Sequence, residues 1–158
     1  MPLDLPFEPI EWSDAMETGI PVIDQQHRYL VDTLRDANLR LLQNHESALL
    51  EEIAHDLLRY AIIHFETEEE CMVRYGYVAA KPEIAATHIA QHRDFSRRVV
   101  AICDQLRERQ QVSRIEVLRF LNEWLRNHVL GIDQRLGHFL REAGSGAEAG
   151  SVRDSHVR

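Results

Sequence analysis

Histidines and acids recur in this chain at intervals that place them on single helical faces. In "AIIHFETEEE" His64 and Glu68 are four residues apart, and at about 3.6 residues per turn they share a face. His88 and His92 repeat the interval in "HIAQHRDF". His27 precedes Leu30 and Val31 by three and four residues, and His128 follows Leu125 by three. Each of these positions falls on an apolar stripe, so the side chains are directed into a core. Imidazole nitrogens and carboxylate oxygens are donors to transition metals, and an inward cluster of them points to metal chemistry.

A single inward histidine is ordinarily a hydrogen-bonded core residue, and a His–Glu pair four apart is ordinarily a surface pair. Five inward histidines in one small core are a different matter. Each buried polar group left without a partner costs roughly 1–3 kcal/mol, against a total stability of about 5–15 kcal/mol. A metal centre satisfies all of them at once. The other four histidines do not join: His55 turns to the opposite face from His64, His45 lies in a loop, His138 is two to three turns beyond His128, and His156 is in the C-terminal tail. Solvent-facing or ordinary structural roles are expected for these.

The elements that must position the cluster are four amphipathic helices. The first is predicted from about Pro21 to Leu42, and the second from Ser47 to before "RYGYV". The third opens at Pro82, since proline is tolerated in a first turn, and runs to about Arg109. In the fourth, Ser113 and Glu116 form a capping box, and the helix fades near Gly144. Stripes such as Leu50, Ile53, Leu57 and Ala61, or Leu118, Leu121 and Leu125, follow helical spacing. There is no strand pattern and no internal repeat. The fold class expected is all-α, an up-down-up-down antiparallel four-helix bundle with an N-terminal extended arm. At about 1.5 Å per residue, the histidines fall in one layer only if successive helices alternate direction. Residues 1–20 are read as an arm packing on the bundle, 21–142 as the domain, and 143–158 as a flexible polar tail.

A length of 158 residues fits one domain. The net charge of −8 argues against a nucleic-acid binder. No stretch reaches the roughly 18 apolar residues of a membrane span, and "MPLDLPFEPIEWSD" has neither the basic start nor the apolar run of a signal peptide. A cytoplasmic protein with no nucleic-acid or membrane partner is expected. Two cysteines do not make a disulfide framework. Cys71, three residues past Glu68, points inward and is read as a small buried hydrophobe, with a peroxide-sensitive thiol as the alternative. A bond to Cys103 is excluded, because antiparallel helices place the two on opposite sides of the metal layer.

Four segments together resemble the hemerythrin family, in particular the single-domain bacteriohemerythrins: "IEWSDAMETGIPVIDQQHRYL", "HFETEEECM", "HIAQHRDF" and "WLRNHVLGID". The resemblance runs from about Trp12 to Leu140. It implies a ligand that periodicity does not supply, Asp133, five residues after His128. Five residues rotate a regular helix by about 140°, so a π-bulge eased by Gly131 is expected between them. The resemblance further implies two iron ions, one held by His88, His92 and His128 and the other by His27 and His64. Glu68 and Asp133 would bridge them with an oxo or hydroxo group, leaving six donors on one ion and five on the other. Reversible dioxygen binding at the open position is the implied function, for oxygen storage, delivery or sensing. Dioxygen is the expected partner, with an oxygen-using enzyme or signalling protein as a further one. A di-iron enzyme scavenging peroxide or nitric oxide is the alternative. Five imidazoles against two carboxylates lean towards binding rather than oxygenase chemistry. Phe65, Trp124 and Leu125 are expected to line an apolar ligand pocket.

Overall fold

The structure, a computed structural model, describes residues 5–143; the expected tail falls outside them from residue 144 onward. The elements are α1 (Pro21–Gln43), α2 (Ser47–Arg74), a single turn α3 (Tyr77–Ala80), α4 (Pro82–Arg107), α5 (Arg114–Leu130) and α6 (132–143). A 3-10 turn, Asp14–Met16, interrupts the N-terminal arm.

Local chemistry sets the helix ends. Ile20 precedes α1 and has no side-chain cap to offer, but Pro21 suits the first turn. The Asp24 carboxylate accepts from the Thr18 and Gly19 amides at 2.7 and 3.1 Å, which holds the entry to α1. At α5, Ser113 Oγ accepts from the Glu116 amide at 3.2 Å, as the capping box requires. Between α2 and α3 the chain turns at Gly76, whose φ of +82° is a region glycine enters freely. The third long helix stops at Arg107, short of the expected Arg109, which takes a φ of +62° in the turn that follows.

α1 packs against α2 and α5, and α2 against α4, in an antiparallel four-helix bundle. Two departures from the expected helices stand out. The connection between the second and third contains the extra turn α3. The fourth is not continuous: it ends at Leu130 and resumes at residue 132, with Gly131 between (φ −105°, ψ −97°).

The core has two apolar parts. The larger includes Leu34, Leu41, Leu57, Val99, Leu118 and Leu121, with Phe7 and Ile10 of the arm packed into it. The smaller includes Ile23, Met72, Tyr77, Leu136 and Leu140. Between them lies a polar layer of His27, His64, Glu68, His88, His92, His128 and Asp133, each no more than 3 % exposed. His27 stands near the start of α1 and His64 and Glu68 near the end of α2, so only an antiparallel arrangement brings them level. Cys71 belongs to the smaller apolar part and Cys103 to the larger; both are free and buried. Asn38 and Asn122 exchange amide hydrogen bonds of 3.0 Å within the bundle, and the Ile10 amide donates to Asn122 Oδ1 at 2.9 Å, fixing the arm.

Candidate metal centre

The buried polar layer resolves into two donor sets that share their carboxylates. Glu68, His88, His92, His128 and Asp133 form one, and His27, His64, Glu68 and Asp133 the other, with the donor atoms of each set within 4.8 Å of one another. The shared oxygens are divided between the sets. Glu68 Oε1 lies 3.0 Å from His92 Nε2 and 3.3 Å from His88 Nε2, while its Oε2 lies 3.3 Å from His64 Nε2 and 3.5 Å from His27 Nε2. Asp133 Oδ1 lies 2.8 Å from His88 Nε2 and 3.1 Å from His128 Nε2, and its Oδ2 lies 2.9 Å from His27 Nε2. Each carboxylate thus offers one oxygen to the three-histidine set and the other to the two-histidine set.

These separations suit a bound metal better than a polar cluster. Among the described residues Nε2 of His27, His64, His88 and His128 finds no hydrogen-bond partner, nor does Glu68 Oε2 or either oxygen of Asp133. Only His92 Nε2 and Glu68 Oε1, 3.0 Å apart, meet as a hydrogen-bonded pair within the cluster among the described residues. Donors about 2.0–2.2 Å from a transition metal, set at right angles, lie roughly 3 Å apart, which is the spacing found. Imidazole with carboxylate is a donor set suited to iron, and affinity alone does not select among the divalent metals.

The charges reflect the crowding. Burial alone would lower the pKa of His27, but Asp133 and Glu68 outweigh it and raise the value to about 10. At His88 burial is likewise outweighed, by the close carboxylates of Asp133 and Glu68, and the value rises to about 9. His128 is raised against burial by Asp133 and Glu68. His64 moves the other way: burial, with the neighbouring His27 charge, outweighs Glu68. Burial would raise Glu68, but His64, His128 and His27 hold it well below the ordinary carboxylate range. Asp133 is depressed against burial and the Glu68 charge by His128 and His27.

Asp133 reaches the layer by a route other than the expected π-bulge. The helix breaks at Gly131 and restarts, which turns Asp133 inward. A Cβ on Gly131 would lie 2.7 Å from the Asn127 carbonyl oxygen, so the break demands glycine. Gln134 stabilises it, its amide donating to the Val129 carbonyl at 2.9 Å and the Met16 carbonyl at 3.2 Å.

A further ring of residues steers the imidazoles. His64 Nδ1 donates to Gln26 Oε1 at 2.7 Å, His92 Nδ1 to Glu69 Oε2 at 2.8 Å, and His128 Nδ1 to Gln91 Oε1 at 2.8 Å. A proton fixed on Nδ1 leaves Nε2 free as a donor to metal. Each supporting residue sits beside a donor in sequence yet serves a histidine of the next long helix. Sequence reasoning missed all three, because same-helix periodicity carries no trace of a contact between helices. His45, His55 and His138 take no part in the cluster and are exposed.

Beside the layer is a small apolar pocket with about 10 Å³ of internal room. Leu30, Ala61, Phe95 and Leu125 line it, each three residues from a histidine of the cluster, one on each long helix. Phe65 and Trp124 line it too. Phe65 stacks on His92 with ring centres 4.0 Å apart, and Trp124 stacks on His128 at 4.5 Å. Among the described residues no helix is long and apolar enough to cross a membrane.

The chain matches known proteins over most of its length. The Hemerythrin HHE cation binding domain profile matches residues 18–140. The bacteriohemerythrin of Stenotrophomonas maltophilia is 32% identical over 148 residues, covering 88% of this chain and 92% of that protein. The myohemerythrin of Theromyzon tessulatum is 26% identical over 126 residues, covering 80% of this chain and 89% of its own. A crystal structure of wild-type hemerythrin superposes with a TM-score of 0.73 at 22% identity, covering 84% of this chain and 98% of that one. With the profile spanning most of its length and the bundle matching in shape, the chain belongs to the hemerythrin family.

Proposed function

We propose that this protein binds dioxygen reversibly at a pair of non-haem iron ions, serving oxygen storage, delivery to an oxygen-using enzyme, or sensing through a signalling partner. The observation that carries the reading is the unequal division of donors beside an apolar pocket. Nε2 of His88, His92 and His128 would hold one ion and Nε2 of His27 and His64 the other. Glu68 and Asp133 would bridge them, one oxygen to each, together with an oxo or hydroxo group. The two-histidine set is one nitrogen short, which leaves room there for a ligand. When bound, the iron pair supplies two electrons and a vacant position to dioxygen.

The remaining work falls to the chain. Leu30, Ala61, Phe95 and Leu125 make the pocket apolar and keep water and acid out of it. Phe65 and Trp124 brace His92 and His128 by stacking. Gln26, Glu69 and Gln91 hold protons on Nδ1 and present Nε2 inward.

A di-iron enzyme that scavenges peroxide or nitric oxide would use the same donors. It would need a proton source at the pocket, and none of the side chains lining the pocket titrates. Binding is the better fit.

The test is anaerobic reduction of the iron-loaded protein, then absorbance spectra after adding oxygen and after sparging with argon. A visible charge-transfer band that appears and then vanishes supports reversible binding. Rapid passage to the oxidised form with peroxide consumed or released would move the protein to the enzyme class.

A further inference from the structure

The three outer hydrogen bonds to the imidazoles are not equivalent. Gln26 and Gln91 offer neutral amide oxygens to His64 and His128, whereas Glu69 offers a carboxylate to His92. Gln26 is itself committed elsewhere, its amide donating to Thr67 Oγ1 at 3.1 Å. Nδ1 of His27 and His88 has no hydrogen-bond partner among the described residues. Among the described residues, one of the five imidazoles alone has a carboxylate behind its Nδ1, and it belongs to the three-histidine set. The Glu69 side chain is 31% exposed and reaches solvent, while His92 is 2% exposed.

We infer that Glu69 is a positioning residue that makes His92 the strongest nitrogen donor of the cluster and biases the three-histidine ion towards its ferric state. This inference rests on the di-iron reading above. A carboxylate accepting from Nδ1–H draws the ring proton towards itself and raises the basicity of Nε2. A more basic donor favours the ion of higher charge, so the charge of Glu69 lowers the reduction potential on its own side of the centre. The amides of Gln26 and Gln91 orient their rings equally well but add no charge. The two ions are therefore unequal in outer environment as well as in number of histidines, and the electrostatic asymmetry runs in the same direction. The ion with the full donor set is also the one held more firmly oxidised.

The experiment compares iron-loaded wild-type protein with E69Q, E69A and Q91E by iron content, thermal melting and spectroelectrochemical midpoint potential. E69Q keeps an oxygen acceptor at His92 and removes only the charge. It is expected to retain its iron and melt close to wild type, with a midpoint shifted to more positive values. E69A should shift the same way and also loosen iron. Q91E, which places a charge behind His128, should shift the midpoint to more negative values. An unmoved potential in iron-loaded E69Q overturns the inference. If E69Q fails to load iron, Q91E decides alone, and an unmoved potential there overturns it. Wild-type protein that binds no iron would instead defeat the di-iron reading itself, so the two failures are distinct.

Discussion

His128 Nε2 and Asp133 Oδ1 lie 3.1 Å apart although five residues separate them along the chain. On an unbroken helix the two side chains would diverge by about 140°. They meet because the helix stops at Leu130 and restarts at residue 132. Gly131→Ala places a methyl 2.7 Å from the Asn127 carbonyl, and relief requires the backbone to shift. We expect a loss of about 1–3 kcal/mol, typical of overpacking, with lower iron content. Denaturant melts and metal analysis check both; a variant with full iron and unchanged stability would count against the role given to the break.

Removing a donor should remove metal. Glu68→Ala takes away an oxygen from each donor set, and His64→Ala leaves the two-histidine set with one. Both variants are expected to purify with less than the full iron complement of wild type, Glu68→Ala being the more depleted. Elemental analysis of reconstituted protein decides, and two irons per chain in either variant would defeat the ligand assignment.

The metal-free chain should lose stability as the medium turns alkaline. His27 and His88 have folded pKa values of about 10 and 9, above the ordinary 6.5. A raised pKa contributes stability that is complete below the unfolded value and is lost as pH rises through the folded one. Melting temperature of metal-free protein is thus expected to fall between about pH 7 and 10. Glu68 and Asp133, both depressed, act in the opposite direction and withdraw stability as acid protonates them below the ordinary carboxylate range. On the proposed ligand assignment the Nε2 atoms of loaded protein would carry metal rather than protons, so the alkaline decline should be absent. Parallel calorimetry of the two forms from pH 6 to 10 tests the difference.

The apolar pocket should govern how long bound oxygen survives. Leu125→Asn puts an amide among Leu30, Ala61, Phe95 and Trp124, where it has no partner and admits water. About 1–3 kcal/mol of stability should be lost to the unsatisfied amide. The oxygenated form should decay to the oxidised form several-fold faster than in wild type, as followed by stopped-flow absorbance. An unchanged decay rate would show that oxygen does not occupy this pocket.

The bundle was legible because one rule holds along each long helix: buried apolar residues recur three or four positions apart, as Leu50, Ile53, Leu57 and Ala61 do on α2. The inward histidines follow the same rule, and four long helices of alternating direction bring them level without further assumption. Asp133 was not read from spacing because it stands five residues from His128, with the break at Gly131 resetting the helical phase between them, and only resemblance to relatives pointed to it. The break itself was anticipated in the wrong form, as a bulge within a continuous helix. Gln26, Glu69 and Gln91 were beyond the reach of periodicity for another reason. Each points away from its own helix's donors to a histidine on the next, and that contact depends on how two helices are rotated against each other.

The seven candidate donors run from residue 27 to residue 133, so a metal pair gripping all of them would pin distant stretches of the polymer to one place. Pinning narrows the set of shapes open to the denatured coil, by an amount that grows slowly with the size of each closed loop. Secreted domains obtain this tethering from disulfides, but both cysteines here are free. The same seven side chains would then act as a reversible crosslink, one that chelation rather than reduction would undo.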